Sequence, residues 1–117
     1  MMARSAEALV RLAARAALDK KATDVVILDL RRATDFTDYF VLASGANQKQ
    51  IVAIADAVQE TLRAQGLRPS HVEGYPRGEW ILLDYDDLVV HVFTERTRAF
   101  YDLERLWGGA TRQEVNG

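Results

Sequence analysis

The spacing of hydrophobic residues along the chain changes several times, and each change marks an element. Between residues 5 and 18, Leu9, Leu12, Ala13 and Ala16 recur at i, i+3, i+4 and i+7 with arginines outside the stripe, the pattern of an amphipathic helix. Thr23 to Leu30 is a short, apolar, β-branched run that fits a strand buried on both faces. A polar loop with Arg31, Arg32, Thr34, Asp35 and Asp38 follows, then a second strand, Tyr39 to Ala43. Ser44-Gly45-Ala46-Asn47 turns the chain into its best-signposted element. Asn47 is placed as N-cap with Gln50 three residues on, and Ile51, Ile54, Ala55, Val58 and Leu62 form one stripe. Gly66 suits the left-handed position after a helix and Pro69 prevents continuation, so a helix over about 48–65 is expected.

Val72 opens a short third strand before a loop punctuated by Gly74, Pro76 and Gly78. Trp80 to Asp84 and Leu88 to Thr94 then read as an antiparallel hairpin joined through Tyr85-Asp86-Asp87. Thr94 can cap a last helix over 95–107, with a stripe of Ala99, Phe100, Leu103 and Leu106 or Trp107, ended by Gly108-Gly109. Residues 110–117 carry no apolar pattern and are expected to be a frayed, disordered tail. This order of elements predicts an α/β (α+β) fold, one mixed sheet of about five strands with helices packed on it, as a single domain over residues 1–109. A parallel pairing across the central helix is expected, because strand-helix-strand units make right-handed crossovers.

Composition narrows the chemistry. The 117-residue chain has no cysteine, which excludes disulfides, thiolate metal sites and a cysteine nucleophile. His71 and His91 lie twenty residues apart and in no zinc-binding spacing. No apolar run approaches the roughly 18 residues of a membrane span, so no membrane partner is expected. The Ala- and Arg-rich start is read as the first helix of a cytoplasmic protein, not a transit peptide, because of Glu7 and its short length. Net charge is only −2, which argues against gripping nucleic acid chiefly through phosphates. Its distribution is uneven: residues 1–32 hold seven basic residues against four acids, whereas 73–104 hold eight acids against three arginines. The acidic, aromatic-bearing half suits a basic protein partner, although a solvated charged face would look the same.

Three constellations invite a chemical reading. Asp84, Asp86 and Asp87 could hold a divalent metal for phosphoryl transfer, but metal work needs converging carboxylates, and Asp86 and Asp87 fall in a turn where aspartate is favoured anyway. Ser44-Gly45 could offer donors to a phosphate at a helix N-terminus, without any P-loop pattern to strengthen the signal. His91, between Val90 and Val92, reads as a core histidine donating one ring nitrogen to a nearby acid or carbonyl; a general base would need a nucleophile that is not evident. Trp80, starting a strand after a Gly-rich loop, is either core or an interface anchor. Tyr101 lies off the stripe of its helix and is free to face a partner; Trp107 suits helix-end packing.

Thr37-Asp38 through Ser44-Gly45, Val52 to Asp56, Glu73-Gly74, Trp80-Ile81, Asp84, Val90-His91-Val92, Tyr101 to Glu104 and Leu106-Trp107 occur in one order over most of the chain. In these motifs the chain resembles the ribosomal silencing factor (RsfS, Iojap-like) family, from about residue 5 to Gly109. The resemblance implies a nucleotidyltransferase-like topology and a homodimer. It also implies a factor that binds the fourteenth protein of the large ribosomal subunit on its intersubunit face. There it blocks joining of the small subunit and represses translation when nutrients run low. The chain departs from transferases in lacking a Gly-Ser followed by alternating acids on the next strand.

Together these readings give a non-enzymatic binding protein that needs no cofactor or metal. Its docking surface is expected at Glu73, Trp80, Asp84, Asp87, Leu88 and Tyr101. The alternatives are a metal-dependent nucleotidyltransferase-like enzyme using Asp84 and Asp86, and direct RNA binding through Arg4, Arg11 and Arg15.

Overall fold

A computed structural model describes residues 5–115, which form one six-stranded sheet with helices on its faces. In chain order the elements are α1 (Ala6–Asp19), β1 (Thr23–Asp29), β2 (Tyr39–Gly45), α2 (Gln48–Arg63), β3 (His71–Glu73), β4 (Trp80–Asp84), β5 (Leu88–Thr94), α3 (Glu95–Tyr101), α4 (Leu103–Leu106) and β6 (Thr111–Glu114). The strands are ordered β3-β4-β5-β2-β1-β6, and only the central β2 and β5 pair in parallel. The parallel mate of β2 is thus not the strand that follows α2. After the helix the chain runs out to the edge as β3, returns through the β4–β5 hairpin, and only then reaches β2. No helix among the described residues is long and apolar enough to cross a membrane.

The expected stripe of α2 is the centre of the core: Ile51, Ile54, Ala55, Val58 and Leu62 have no exposed surface. Burying each of the four larger side chains is worth about 2 kcal/mol. Asn47 caps the helix by accepting from the Gln50 amide at 2.9 Å, while the Gln50 side chain accepts from Ala46 N at 2.6 Å and donates to the carbonyls of Lys20 and Lys21. The capping box therefore also ties the helix start to the end of α1. In α1 the fully buried face is Val10, Ala13, Ala14 and Ala17, one step round from the expected stripe, with Leu9 and Leu12 half-buried at its margin. Small residues on that face let α1 lie close to α2 and the sheet.

Both helices cover the same face of the sheet, over Ile27, Val41, Ala43, Ile81, Leu83, Val90 and Val92. The opposite face carries Val26, Leu28, Phe40, Leu42, Val89 and Phe93, and is covered by Trp80 and by the chain from Leu103 to Ala110.

Two expectations fail at the C-terminal end for one reason. The last helix breaks at Asp102, which takes φ 48°, and its inward residue is Arg98, whereas Phe100 is 79% exposed. Apolar periodicity cannot anticipate a buried cation. Arg98 donates to the Asp24 carbonyl at 2.7 Å, to Ser44 Oγ at 2.9 Å and to Glu104 Oε1 at 2.8 Å, and its guanidinium lies 5.6 Å from the centre of the Phe93 ring. The bond from Arg98 holds the Glu104 carboxyl below the usual carboxylate range, and Glu104 also accepts from Arg112. Arg112 lies in the stretch expected to fray. Thr111–Glu114 instead pair with β1 in the register Val26↔Glu114 and Leu28↔Arg112, so the sheet has a sixth strand. Its side chains are all exposed, and a strand held by backbone ladder and ion pairs leaves no apolar signature. Arg4 and residues 116–117 lie outside the described residues.

Replacing Arg98 by Met should cost about 3 kcal/mol, because Glu104, Ser44 and the Asp24 carbonyl lose a shared donor in a largely dry setting. Urea unfolding of the two proteins checks this; a loss below about 1 kcal/mol would mean that the network is incidental.

Candidate functional site

The loop between β3 and β4 is built to be rigid. Gly74 has φ +98°, and a Cβ there would stand 1.9 Å from the Trp80 carbonyl oxygen, so only glycine lets the chain cross so close to the start of β4. Gly78, at φ +64°, sits against Gln48, whose amide donates to the Pro76 carbonyl at 3.2 Å. The Tyr75 hydroxyl donates to Asp56 Oδ1 at 2.9 Å and accepts from Gln59 at 2.6 Å; burial and the Asp56 carboxylate both push its pKa up. The loop is strapped to α2, and Glu73 and Trp80 stand at its two ends.

Directly opposed residues of paired strands share a face. The pairs Glu73↔Leu82, Leu82↔His91, Trp80↔Phe93, His71↔Asp84 and Asp84↔Val89 therefore place Glu73, Trp80, Leu82 and Asp84 on the face that α1 and α2 leave open. The Trp80 indole N–H donates to His91 Nδ1 at 3.0 Å, and its ring centre is 4.7 Å from that of Tyr101. Tyr101, 52% exposed, in turn meets Phe100 edge-on at 5.0 Å. An open groove of about 1050 Å³ runs between the Gly74–Gly78 loop and α3, lined among others by Trp80, Arg96, Phe100 and Tyr101. The aromatic contacts continue inward: His91 to Phe40 at 4.6 Å, Phe40 to Trp107 at 6.0 Å, and Trp107 to Phe36 at 5.6 Å, with Phe36 again 60% exposed.

Of the six residues expected to form a docking surface, the structure brings Trp80 and Tyr101 together at one end of the face opposite α1 and α2, while Glu73, level with Leu82, stands midway along β4. Asp84 shares that face, but roughly 13 Å further along the strand at ordinary strand rise. Asp87 is exposed at the hairpin tip, where its carbonyl accepts from Asp38 and Tyr39. Leu88 is a correction: it is 1% exposed and packs in the core under α1 and α2, because the strand alternation turns it to the covered face. Phe36, Phe100 and Leu106 are exposed large apolar residues that pattern reasoning misses. Phe36 sits in an aperiodic loop, and the apolar period points Phe100 inward because it takes no account of Arg98.

The competing chemistries find little to work with. Asp84 Oδ1 accepts from the Asp86 amide at 2.9 Å, a turn contact, and Asp86 takes φ 70°. Among the described residues no three His, Cys, Asp or Glu side chains converge as metal ligands would. Ser44 has no exposed surface and its Oγ accepts from Arg98, and the Ala46 amide donates to Gln50, so neither group is presented to a phosphate. His91 differs from its expected role: its Nδ1 accepts a bond from Trp80 where donation to an acid or carbonyl was expected, and its Nε2 has no partner among the described residues.

The family described as "Ribosomal silencing factor during starvation" matches residues 3–117. The chain is similar to the ribosomal silencing factor RsfS of Halalkalibacterium halodurans, with 40% identity over 113 residues covering 97% of each chain. The X-ray crystal structure of a Chromobacterium violaceum protein is 34% identical and superposes with a TM-score of 0.87, covering 97% of this chain and 95% of that one. A distant relative, 26% identical over 91 residues, is the mouse protein named Mitochondrial assembly of ribosomal large subunit protein 1; the match spans 75% of this chain and 40% of the mouse protein.

Burial pushes the His91 pKa down from 6.5 to about 4, against a smaller upward pull from Asp84. The unfolded imidazole takes a proton near pH 6.5 and the folded one only near 4. Its contribution is therefore complete above about pH 6.5 and is lost as pH falls towards about 4, by about 3 kcal/mol in all. A series of unfolding curves from about pH 7 down to about 4 should show this slope for the parent chain and a shallower one for His91→Asn. Equal slopes would contradict it.

Proposed function

Since this chain belongs to the ribosomal silencing factor family, we propose that it represses translation by docking the aromatic cluster around Trp80 and Tyr101 on the large ribosomal subunit and blocking the small subunit from joining. The observation that carries this reading is the Trp80–Tyr101–Phe100 cluster, a half-buried tryptophan against exposed tyrosine and phenylalanine rings, at the edge of the sheet face opposite α1 and α2. Aromatic rings that are partly desolvated and held in place are the usual anchors of protein interfaces. Acids at the margin select a basic partner and speed its encounter.

The partner of this reading is the fourteenth large-subunit protein at the intersubunit face, met by Trp80 and Tyr101 in the centre with Glu73, Asp84 and Asp87 towards the rim. The protein acts in the cytoplasm as a homodimer, when nutrients are limiting, and works by occupancy and not by catalysis. The name of the mouse relative, which refers to assembly of a ribosomal large subunit, supports the choice of subunit.

Sedimentation of the protein with purified subunits tests this. The parent chain should run with the large subunit and reduce the yield of joined ribosomes. Tyr101→Ala and Trp80→Ala should each weaken binding about thirtyfold, the effect of losing an anchor worth about 2 kcal/mol. Tyr101→Ala is the cleaner variant, since Trp80 also serves His91. If Tyr101→Ala co-sediments as the parent does, the surface is wrong.

A further inference from the structure

We propose that His91 is a positioning residue for the docking surface: its buried imidazole fixes the orientation of the Trp80 indole through Nδ1, and so sets the ring against which Tyr101 packs. The proposal rests on the docking reading above and adds to it a residue that the partner never touches.

The position of His91 is one where an apolar side chain would be the default. It lies in β5 with Leu42 opposite on one side and Leu82 on the other, and is 4% exposed. Burying an imidazole there is unfavourable unless its polar atoms are met. Only one is met: Nδ1 accepts from Trp80 Nε1 at 3.0 Å, while Nε2 has no hydrogen-bond partner among the described residues. Because Nδ1 accepts, the neutral ring carries its proton on Nε2. For the core alone a leucine would serve better, so the gain lies in what the bond does to Trp80.

What it does is directional. The indole could turn about its side-chain bonds over a face that α1 and α2 leave open. The imidazole itself is confined, being 4% exposed with Phe40 edge-on at 4.6 Å and the Phe93 ring centre at 6.3 Å. A fixed acceptor on a rigid strand thus holds the N–H edge of Trp80 inward and presents the remainder of the ring to Tyr101 at 4.7 Å and to the groove. Pre-ordering an anchor in its bound orientation raises affinity by removing the entropy of ordering it on contact.

The test uses His91→Leu, His91→Asn, Trp80→Phe and a double variant that combines His91→Leu with Trp80→Phe, with Tyr101→Ala as the control for the surface. Asparagine places Oδ1 near the site of Nδ1; leucine has similar bulk and no acceptor. Folding is checked by circular dichroism, large-subunit affinity by sedimentation, and the state of Trp80 by the indole N–H signal in nitrogen-15 spectra, where only two tryptophans contribute. The expected result is a folded His91→Leu protein with about tenfold weaker binding and a Trp80 indole proton that exchanges faster with water. His91→Asn should recover most of both. Trp80→Phe, which keeps a ring but has no N–H, should make the His91→Leu change nearly silent in the double variant. If Tyr101→Ala weakens binding and His91→Leu does not, or if its loss simply adds to that of Trp80→Phe, the positioning role is refuted. If Tyr101→Ala binds like the parent, the docking reading fails and this proposal fails with it. The indole signal tells these failures apart, since it reports the His91–Trp80 bond without any ribosome present.

Discussion

A guanidinium taken into a protein interior must have its donors met, and Arg98 meets that demand with groups from three parts of the chain. The Asp24 carbonyl belongs to β1, Ser44 to β2 and Glu104 to α4, and Glu104 extends the network to Arg112 in β6. Through these bonds one cation joins α3, the segment after the break at Asp102 and β6 to the sheet. A less polar residue at 98 would leave α3 free to turn its aromatic side inward. The network therefore also determines that Phe100 and Tyr101 face solvent.

The aromatic cluster at the edge of the sheet is supported from two sides. The strapped loop from Gly74 to Gly78 holds Glu73 and the start of β4, and the Arg98 network holds α3. Trp80 is gripped between them, by His91 below and Tyr101 beside it. An exposed aromatic cluster is ordinarily a liability to a globular chain. Here the rings are held in contact with one another, which limits how far each can reorient.

How much of this is legible in the sequence follows from how each element is stabilised. The bounds of β4 and β5 and the buried stripe of α2 are readable because burial of apolar groups leaves a period. β6 is not, since four exposed side chains leave none and the strand exists by pairing with β1. The last helix misleads for a related reason: its core contact is an arginine, and hydropathy scores arginine as surface. At the candidate site, the outward placement of Tyr101 is legible because it lies off the stripe of its helix, whereas Leu88 reads as outward although β4–β5 alternation turns it inward. Phe36 and Phe100 take their places only through tertiary contacts. His91 is recognisable as a core residue, but the direction of its hydrogen bond depends on a cross-strand neighbour that the linear order does not reveal.

The sheet ends at β3 and β6, strands of three and four residues whose side chains are all exposed. His71 and Glu73 occupy one border, Arg112 and Glu114 the other. Such short, charged borders offer a poor template to the backbone of another chain. The exposed tyrosine and phenylalanine of α3 therefore sit on a molecule whose sheet borders resist edge-to-edge growth into fibrils.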